Sequence, residues 1–427
     1  MSNDLQQTDL SVLETTTLPY KQVAFSELDQ FAQYCIELAY QQALKGKISC
    51  YPNPAVGCVI TKDQQILVTG YHHFAGTAHA ERDAVQRLQQ QYPDTWQELL
   101  AGATAYVTLE PCAHYGRTPP CAQLLVDCKL AKVIYTCQDT TPKVNGKGAQ
   151  MLAQASIEVI YTPYAPSAKL NQDFFALNQQ TTDLPFVRLK IGASLDSRIA
   201  LPNKASKWIT SPQSRAYVQA LRWQANAVLC SAQTVIVDQA RYNVRYSELP
   251  AAVTDFLTQE NLIQPALVVI DNQHQLTGAE AIFSSLVNLD SAQENNLQRD
   301  IYIVSKNPHP LAVKYNSVPQ LKFINDLDIH APQGLANLLV KLKQHGLEHI
   351  LVETGAQLTN AFIQAGLFDQ LHYFMSGKVL GAGLNAFSFT SHASEISQVL
   401  ELKLLYQQML GEQDLYLVYQ NTQKYEI

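Results

Sequence analysis

Hydrophobic positions in the first 161 residues follow two periods, one helical and one extended. A helix is predicted to start at a Ser26/Asp29 capping box and to end at Lys45-Gly46, because apolar residues between them recur every three or four positions. Strands are expected at 55–61, 65–70, 103–109, 132–137 and 158–161, and further helices at 78–90, 120–128 and 148–155. This alternation predicts an α/β sandwich of about 140 residues.

A second alternating region begins near residue 186. Strands are expected at 186–193, 227–231, 266–271, 301–305, 350–353, 371–375 and 415–419, and helices at 212–224, 334–345 and 356–365. Ser211-Pro212 is typical of a helix start, because the hydroxyl caps the helix and proline suits its first position. A polar, proline-containing stretch separates the two regions. We therefore predict a mobile tail at 1–24, a first domain at 25–166, a linker at 167–185 and a second α/β domain at 186–427.

Length, charge and the N-terminal composition narrow the class of protein. The 427 residues suffice for two domains, and a net charge of -7 without a long basic run argues against nucleic acid as a partner. No stretch approaches about 18 uninterrupted apolar residues, so no membrane span is expected. The first 20 residues lack the basic start and apolar stretch of a secretory signal. We expect a cytoplasmic protein with reduced cysteines.

The cysteines are concentrated in the predicted first domain. Of 8 cysteines, only Cys230 lies beyond residue 137. Cys112 and Cys121 lie in a polar, turn-rich segment, which is a poor place for two core cysteines. Four of the others lie on predicted helices or strands, where packing is the simpler interpretation: Cys35, Cys58, Cys128 and Cys137.

The cysteine pair follows a His-x-Glu sequence, His79-Ala80-Glu81. One imidazole and two thiolates, from His79, Cys112 and Cys121, would supply three zinc ligands and leave the fourth position open to water. Bound zinc lowers the pKa of that water to about 7 and so supplies hydroxide. Glu81 is too close in sequence to share a helical face with His79, so we assign it the proton transfers. This pattern is typical of zinc deaminases, although eight residues separate the cysteines instead of two.

Two other interpretations of these residues stay open. The cysteines could form a metal-free core cluster, or zinc could occupy a closed structural site with His114 or Cys128 as a fourth ligand. Upstream, Asn53 lies in a proline-flanked turn before a predicted strand. Its amide could bind a heterocyclic substrate or could serve only the turn.

Three motifs together resemble the bifunctional riboflavin-biosynthesis deaminase/reductase family. They are Asn53-Pro54-x-Val56-Gly57, His79-Ala80-Glu81, and the segment from Thr108-Leu109-Glu110-Pro111-Cys112 to Thr118-Pro119-Pro120-Cys121. The resemblance implies a cytidine-deaminase-like α/β/α first domain in which His79, Cys112 and Cys121 hold zinc and Glu81 shuttles protons. The loop Asp139-x-x-Pro142-x-Val144-x-Gly146-x-Gly148 also resembles the family, with Thr140 and Thr141 where Pro and Asn are more usual.

The second domain lacks a convincing dinucleotide fingerprint. The nearest match to Gly-x-Gly-x-x-Gly begins at Gly381, late in the domain and without a clear helix after it, so we interpret it as a loop. Reasoning from the residues alone leaves the ligand of this domain open.

The segments Lys190–Ala200, Ser206-x-Trp208-Ile209-Thr210 and Val352-Glu353-Thr354-Gly355 are similar to the family's dihydrofolate-reductase-like domain. The resemblance implies NADPH contacts from Gly192, Trp208, Thr234, Asp238, Gly355, Ala356, Gln357, Leu358 and Thr359. It implies substrate contacts from Ser206, Arg222, Arg245 and Glu353. Arginine suits a phosphorylated sugar, and a helix start after Gly355 suits cofactor phosphate. Arg222 could instead be a solvated helix residue and Trp208 a core residue.

The chain departs from the family pattern at a few positions in the second domain. Ser197 replaces a usual glycine, Gln239-Ala240 replaces a common Asp-Pro, and Thr354 replaces a frequent Gly or Ala. Because Asp238 is retained, we still expect a working reductase.

The sequence thus predicts a two-step enzyme for small phosphoribosylated pyrimidines. Zinc-dependent deamination of 2,5-diamino-6-ribosylamino-4(3H)-pyrimidinone 5′-phosphate would precede NADPH-dependent reduction of its ribosyl group. The alternatives are a vestigial reductase domain, a nucleic-acid deaminase and a non-catalytic zinc protein. The sequence does not set the oligomeric state, for which a homodimer is one option.

Overall fold

A computed structural model describes residues 18–113, 120–141, 144–178, 182–284, 299–389 and 393–423. The described residues form two compact units. The first comprises those of Met1–Gln42, Val56–Tyr71 and Ala78–Tyr164, and the second those of Ala43–Ala55, His72–Thr77 and Ala165–Ile427. The predicted domain limits at 166 and 185 stay a prediction.

The first unit is built on a mixed six-stranded sheet with the order β1-β6-β5-β4-β2-β3. Its strands are β1 (Lys21–Gln22), β2 (Gly57–Lys62), β3 (Gln65–Tyr71), β4 (Thr104–Val107), β5 (Lys132–Tyr135) and β6 (Glu158–Tyr161). β2 runs antiparallel to β3 and β4, and the other pairs are parallel. Asp63 and Gln64 close the hairpin of β2 and β3, two strands that the sequence predicts, with φ angles of 50° and 56°, as a two-residue type I′ turn requires.

The helices described in this region lie close to their predicted positions, except for Trp96–Leu100, which was not predicted. They are Gln30–Gly46, Ala80–Gln91, Trp96–Leu100, Cys121–Asp127 and Lys147–Gln154. The predicted Ser26/Asp29 capping box is wrong, because Ser26 lies in a 3-10 turn, Phe25–Glu27. Asp29 alone caps the first helix, accepting the Ala32 N–H at 2.8 Å. Cys35 and Ile36 from that helix pack against Val59 and Ile134 of the sheet.

The second unit contains a nine-stranded sheet with the order β12-β11-β10-β9-β13-β7-β14-β17-β16. The strands, with the short β8–β15 pair, are β7 (Phe186–Ser194), β8 (Arg198–Ala200), β9 (Ala227–Ser231), β10 (Ala266–Ile270), β11 (Ile301–Val304), β12 (Leu321–Ile324), β13 (His349–Val352), β14 (Gln370–Ser376), β15 (Leu384–Asn385), β16 (Leu402–Leu410) and β17 (Asp414–Asn421). From β12 to β14 all neighbours are parallel, whereas β17 and β16 are antiparallel additions. The sequence prediction missed β16, whose register shifts between Leu404 and Tyr406 and whose residues are mostly exposed.

The helices of the second unit alternate with these strands along the chain. They are Ala165–Leu170, Gln172–Asn178, Pro212–Gln224, Ala232–Asp238, Ala251–Thr254, Leu311–Lys314, Gly334–Gln344 and Ala356–Gln364. The predicted start at Ser211-Pro212 is confirmed, since the Ser211 hydroxyl accepts the Ser214 N–H at 3.2 Å. Among the described residues, no helix has both the length and the apolar content needed to cross a bilayer.

Four parallel strands bring their carboxyl ends to one edge of this sheet. Ser231 ends β9, Asp271 follows β10, Glu353 follows β13, and Ser194 ends β7. β9 lies between β10 and β13 in the sheet order. In open parallel sheets this edge is where ligands bind, so the predicted cofactor residues are expected here.

Candidate zinc and cofactor sites

Three separate elements of the first unit bring His79, Cys112 and Cys121 together. His79 is the residue that precedes helix Ala80–Gln91, and Cys121 is the first residue of helix Cys121–Asp127. Cys112 lies in the chain that follows β4. Their ligand atoms all lie within 4.8 Å of one another, with His79 Nδ1 3.7 Å from Cys112 Sγ and 3.5 Å from Cys121 Sγ.

These distances fit a zinc ion. With Zn–S of about 2.3 Å and Zn–N of about 2.1 Å, a tetrahedral ion separates its sulfur and nitrogen ligands by about 3.6 Å. Both observed separations lie within about 0.1 Å of that value. The donor set of one imidazole and two sulfurs is also the one that zinc prefers. The alternative fourth ligand His114 lies outside the described residues, and Cys128 is buried after its helix.

The two cysteines of the cluster have shifted pKa values that favour cation binding. Hydrogen bonds from Cys121 and then His79 lower the pKa of Cys112 to about 4, so Cys112 is a thiolate at neutral pH. That thiolate in turn raises the pKa of Cys121. A divalent cation between the sulfurs would stabilise both thiolates and offset the repulsion between their negative charges.

Glu81 lies on the first turn of the helix that follows His79. The residue is 3% exposed, and its carboxyl group lies beside the Cys121 thiol. Burial raises the pKa of Glu81, and the Cys112 thiolate raises it further. A buried carboxyl with a raised pKa beside the metal ligands is suited to accept and return a proton near neutral pH.

Glu110 is a residue of this region to which the sequence reasoning assigned no role. It lies two positions before Cys112 and is 3% exposed. Its carboxylate accepts the N–H groups of Gly146, Gly148 and Ala149 at 3.1, 3.2 and 3.3 Å. The only sequence signal was its place before Pro111-Cys112 in the quoted motif.

In the second unit, Arg222 and Glu353 bind each other. Arg222 Nε and Nη2 donate to the two Glu353 carboxylate oxygens at 2.7 and 2.9 Å, and Nη1 donates to the Asn243 carbonyl at 3.1 Å. Lys190 Nζ lies 3.7 Å from Glu353 Oε1. Burial opposes ionisation of Glu353, but the two cations outweigh it and lower its pKa to about 2. Arg222 is therefore a buried ion-pair partner and not a solvated helix residue.

The carboxyl ends of β9 and β13 bring Thr234 and Gly355 together. A Cβ on Gly355 would lie 3.8 Å from Thr234 Oγ1, and Thr234 Oγ1 lies 3.4 Å from Thr354 Oγ1. Gly355 directly precedes helix Ala356–Gln364, so N–H groups of its first turn lie next to these hydroxyls. On the adjacent strand end, both amide atoms of Asn272 are buried without a hydrogen-bond partner, which makes Asn272 a further ligand candidate that the sequence reasoning missed.

Two known family models match this chain, one in its N-terminal part and one in its C-terminal part. A model of the cytidine and deoxycytidylate deaminase zinc-binding region matches residues 29–137, and a model of the RibD C-terminal domain matches residues 185–413. Riboflavin biosynthesis protein RibD of Escherichia coli is 38% identical over 351 residues, 82% of this chain and 89% of the relative. The chain belongs to the RibD family. The Haemophilus influenzae RibD is 36% identical, over 83% of this chain and 88% of the relative.

Solved RibD structures share the fold. Acinetobacter baumannii RibD, form 1, has a TM-score of 0.61 at 35% identity and covers 92% of this chain and 99% of its own. A diaminohydroxyphosphoribosylaminopyrimidine deaminase/5-amino-6-(5-phosphoribosylamino)uracil reductase from Thermotoga maritima has a TM-score of 0.61 at 26% identity, with the same coverage. The predicted cytidine-deaminase-like and reductase domains are confirmed.

Membership in the RibD family settles the broad activity. The chain is a bifunctional deaminase and reductase of riboflavin biosynthesis, a hydrolase and an oxidoreductase in one polypeptide. Its cofactors are zinc and NADPH, as predicted. The individual residue roles remain to be proposed from geometry.

Trp208 is a surface residue, which excludes the core interpretation. It is 61% exposed, and the Arg215 guanidinium lies 4.3 Å from its ring centroid. Asp238 ends helix Ala232–Asp238, where burial raises the pKa of its carboxyl, and Lys207 Nζ donates to its carbonyl. Ser206 lies in the preceding turn and is half-buried.

The remaining predicted ligand residues are distributed over several elements. Arg245 is exposed and forms a two-point ion pair with Glu248. Gly192 is in β7, and a Cβ there would make only ordinary contacts. In helix Ala356–Gln364, Gln357 is exposed whereas Leu358 and Thr359 are buried. Asn53 belongs to the second unit, where its Nδ2 lies 3.1 Å from His72 Nε2.

The structure accommodates the departures from the RibD pattern. Ser197 and Gln239 have φ angles of 58° and 48°, a region that glycine adopts most readily. The Ser197 hydroxyl lies 3.1 Å from the Tyr373 hydroxyl, and the Thr354 hydroxyl lies 3.4 Å from that of Thr234. The loop interpretation of the Gly381 segment is only partly right, because Leu384–Asn385 form strand β15 and pair with β8. Gly383 directly precedes that strand, where a Cβ would lie 2.2 Å from the Ala200 carbonyl oxygen.

Proposed function

We propose that the first unit deaminates 2,5-diamino-6-ribosylamino-4(3H)-pyrimidinone 5′-phosphate and that the second reduces the ribosyl group of the product to ribityl. His79, Cys112 and Cys121 hold zinc, and Glu81 moves protons. The proposal is carried by one observation, the three ligand atoms within 4.8 Å of one another beside a buried carboxylate.

Zinc, when bound, activates a water for attack on the amino-bearing ring carbon. Glu81 accepts the two protons of that water in turn, passing the first to the ring nitrogen and the second to the amino group, which leaves as ammonia. Burial raises the pKa of Glu81, which favours its protonated form; a carboxyl of ordinary pKa would be almost fully ionised near neutral pH and so rarely available as a proton donor.

In the second unit, NADPH supplies hydride for the ribosyl carbon C1′. We assign cofactor contacts to Gly192, Trp208, Thr234, Asp238 and the helix start from Gly355 to Thr359. Unpaired N–H groups at that helix start suit a phosphate group. We assign substrate contacts to Asn53 in deamination and to Ser206, Arg222, Arg245 and Glu353 in reduction. The buried, unpartnered amide of Asn272 supports a further cofactor contact.

The proposed setting is the cytoplasm, with small phosphoribosylated pyrimidines as the partners and neither nucleic acid nor membrane. All eight cysteines are free thiols in the structure, which suits a reducing compartment. A homodimer remains the proposed option for assembly.

The test is to incubate the zinc-loaded full-length protein with the diaminopyrimidine phosphate, with and without NADPH, and to weigh the products. Without NADPH we expect the mass change of amino-to-carbonyl exchange and one ammonia per substrate. With NADPH we expect two further hydrogens and an equal loss of NADPH absorbance. Zinc removal should stop the first step and leave reduction of supplied aminouracil intact.

Two results would count against the proposal. Deamination without any NADPH oxidation would indicate that the reductase unit is vestigial. Ammonia release from RNA but not from the pyrimidine phosphate would favour a nucleic-acid deaminase.

A further inference from the structure

The Glu110 carboxylate is held at the start of helix Lys147–Gln154. It accepts three backbone N–H groups, from Gly146, Gly148 and Ala149, at 3.1 to 3.3 Å. These N–H groups precede or begin the helix and have no intrahelical acceptor, so the carboxylate satisfies donors that would otherwise be buried and unpaired. One side chain therefore fixes the position of a whole helix start.

The backbone of Glu110 and Cys112 is anchored as well. The Glu110 N–H donates to the Cys137 carbonyl at 2.9 Å, and the Cys112 carbonyl accepts the Ala122 N–H at 3.1 Å. The Cys121 N–H points at Cys112 Sγ from 3.4 Å. Between these anchors, Pro111 leaves little freedom in the chain that carries the Cys112 sulfur.

Gly148 allows the helix start to reach this chain. A Cβ at residue 148 would lie 1.8 Å from the Pro111 carbonyl oxygen and 3.3 Å from Glu110 Oε1. The helix start and the Pro111-Cys112 peptide are therefore in direct contact, and any other residue at 148 would separate them.

We infer that Glu110 is a positioning residue of the deaminase, one that binds the start of helix Lys147–Gln154 to the Pro111-Cys112 peptide and thereby orients the Cys112 thiolate toward the metal. This inference rests on the proposed zinc role of His79, Cys112 and Cys121. Glu110 itself touches neither metal nor substrate in this role. Its effect passes through the orientation of one ligand, as with other residues that support metal ligands.

A carboxylate is required because it offers acceptor positions on both oxygens to several donors at once. Glutamine at 110 would direct an NH₂ group at one set of backbone N–H groups, so donors would face donors. The mismatch should rotate the Pro111-Cys112 peptide away from its present position.

The test compares Glu110→Gln with wild type in the full-length protein, using zinc and cobalt(II) as the probes. Competition with a chelator should show zinc affinity lowered by about 10- to 100-fold. Cobalt(II), whose absorption in a tetrahedral site depends on its thiolate ligands, should show a weakened sulfur-to-metal band. Reduction of supplied aminouracil should be unchanged.

Glu280→Gln is the matched control. Glu280 is also a buried carboxylate that accepts backbone N–H groups, from Thr277 and Gly278, but it lies in the second unit. That variant should leave zinc affinity and the cobalt spectrum at wild-type values. If Glu110→Gln does not fold, Gly148→Ala disturbs the same contact from the helix side and should give the same changes.

Wild-type zinc affinity and an unaltered cobalt spectrum in folded Glu110→Gln or Gly148→Ala would overturn the inference. A wild-type protein that binds no zinc tightly would instead contradict the proposed function, so the two failures are distinguishable.

Discussion

Arg222 and Glu353 form a two-point ion pair although 131 residues separate them in the sequence. Both side chains are largely buried, with 9% and 14% of their surface exposed. Such a pair holds the carboxyl end of β13 against helix Pro212–Gln224. Its contribution to stability depends on whether the attraction between the two charges exceeds the cost of removing them from water.

Glu353→Gln should destabilise the second unit by about 3 kcal/mol, because it leaves the Arg222 charge buried without its partner. The pKa of Glu353 is lowered in the folded protein to about 2 from a usual 4.5. Its ionised form therefore stabilises the fold above about pH 4.5, and this contribution is lost as the pH falls toward 2. Urea unfolding of wild type and variant from pH 6 to pH 3 should show their difference shrinking on acidification. A difference independent of pH would exclude this ion pair as its source.

Glu81→Gln should lower the deamination rate by at least about 10²-fold while the protein retains its zinc. Glutamine keeps the shape of the side chain but cannot accept and return a proton. Ammonia release and metal content measured on the same sample check the prediction, and NADPH oxidation with aminouracil should be unaffected. Glu98→Gln, on an exposed position of helix Trp96–Leu100, is the control. Loss of zinc from Glu81→Gln would mean that Glu81 is a ligand.

Trp208→Ala should weaken NADPH binding by about tenfold and change the free energy of unfolding by less than about 0.5 kcal/mol. The side chain is 61% exposed, so its removal leaves no cavity, whereas a cofactor stacked on it would lose contact area. Fluorescence titration with NADPH and thermal unfolding measure the two effects. Ile396→Ala, at an 86% exposed apolar residue, should change neither. Large destabilisation with unchanged NADPH affinity would contradict a cofactor role.

Asp173→Asn should destabilise the protein by about 3 kcal/mol. Asp173 bonds Lys47 Nζ at 2.8 Å and Arg188 Nη2 at 3.1 Å, and 11% of its side chain is exposed. Burial opposes ionisation of Asp173, but the two cations outweigh it and lower its pKa. Glu158→Gln removes an exposed pair with Lys132 and should cost less than about 1 kcal/mol. If denaturant unfolding showed the same loss of stability for both variants, burial of the ion pair would not explain its contribution.

Several local features of this protein can be predicted from its sequence. The helix after Asp29, the β2–β3 hairpin and the helix start at Ser211 follow from periodicity and from the residues at their ends, which act over a few positions. The candidate zinc ligands His79, Cys112 and Cys121 could also be proposed from the sequence, because their donor chemistry is specific and few other groups share it.

The contacts between side chains that are distant in the sequence depend on the fold. Glu110 has no role in its own segment until the fold brings the N–H groups of Gly146 to Ala149 to it. Arg222 was open to a solvated interpretation until the pairing of β13 with β9 and β7 brought Glu353 to it. Likewise, Trp208 became a ligand candidate because its side chain is exposed, and Asn272 because its buried amide atoms have no hydrogen-bond partner. The reason is physical: local periodicity depends on neighbours in the chain, whereas burial and charge pairing depend on strand order.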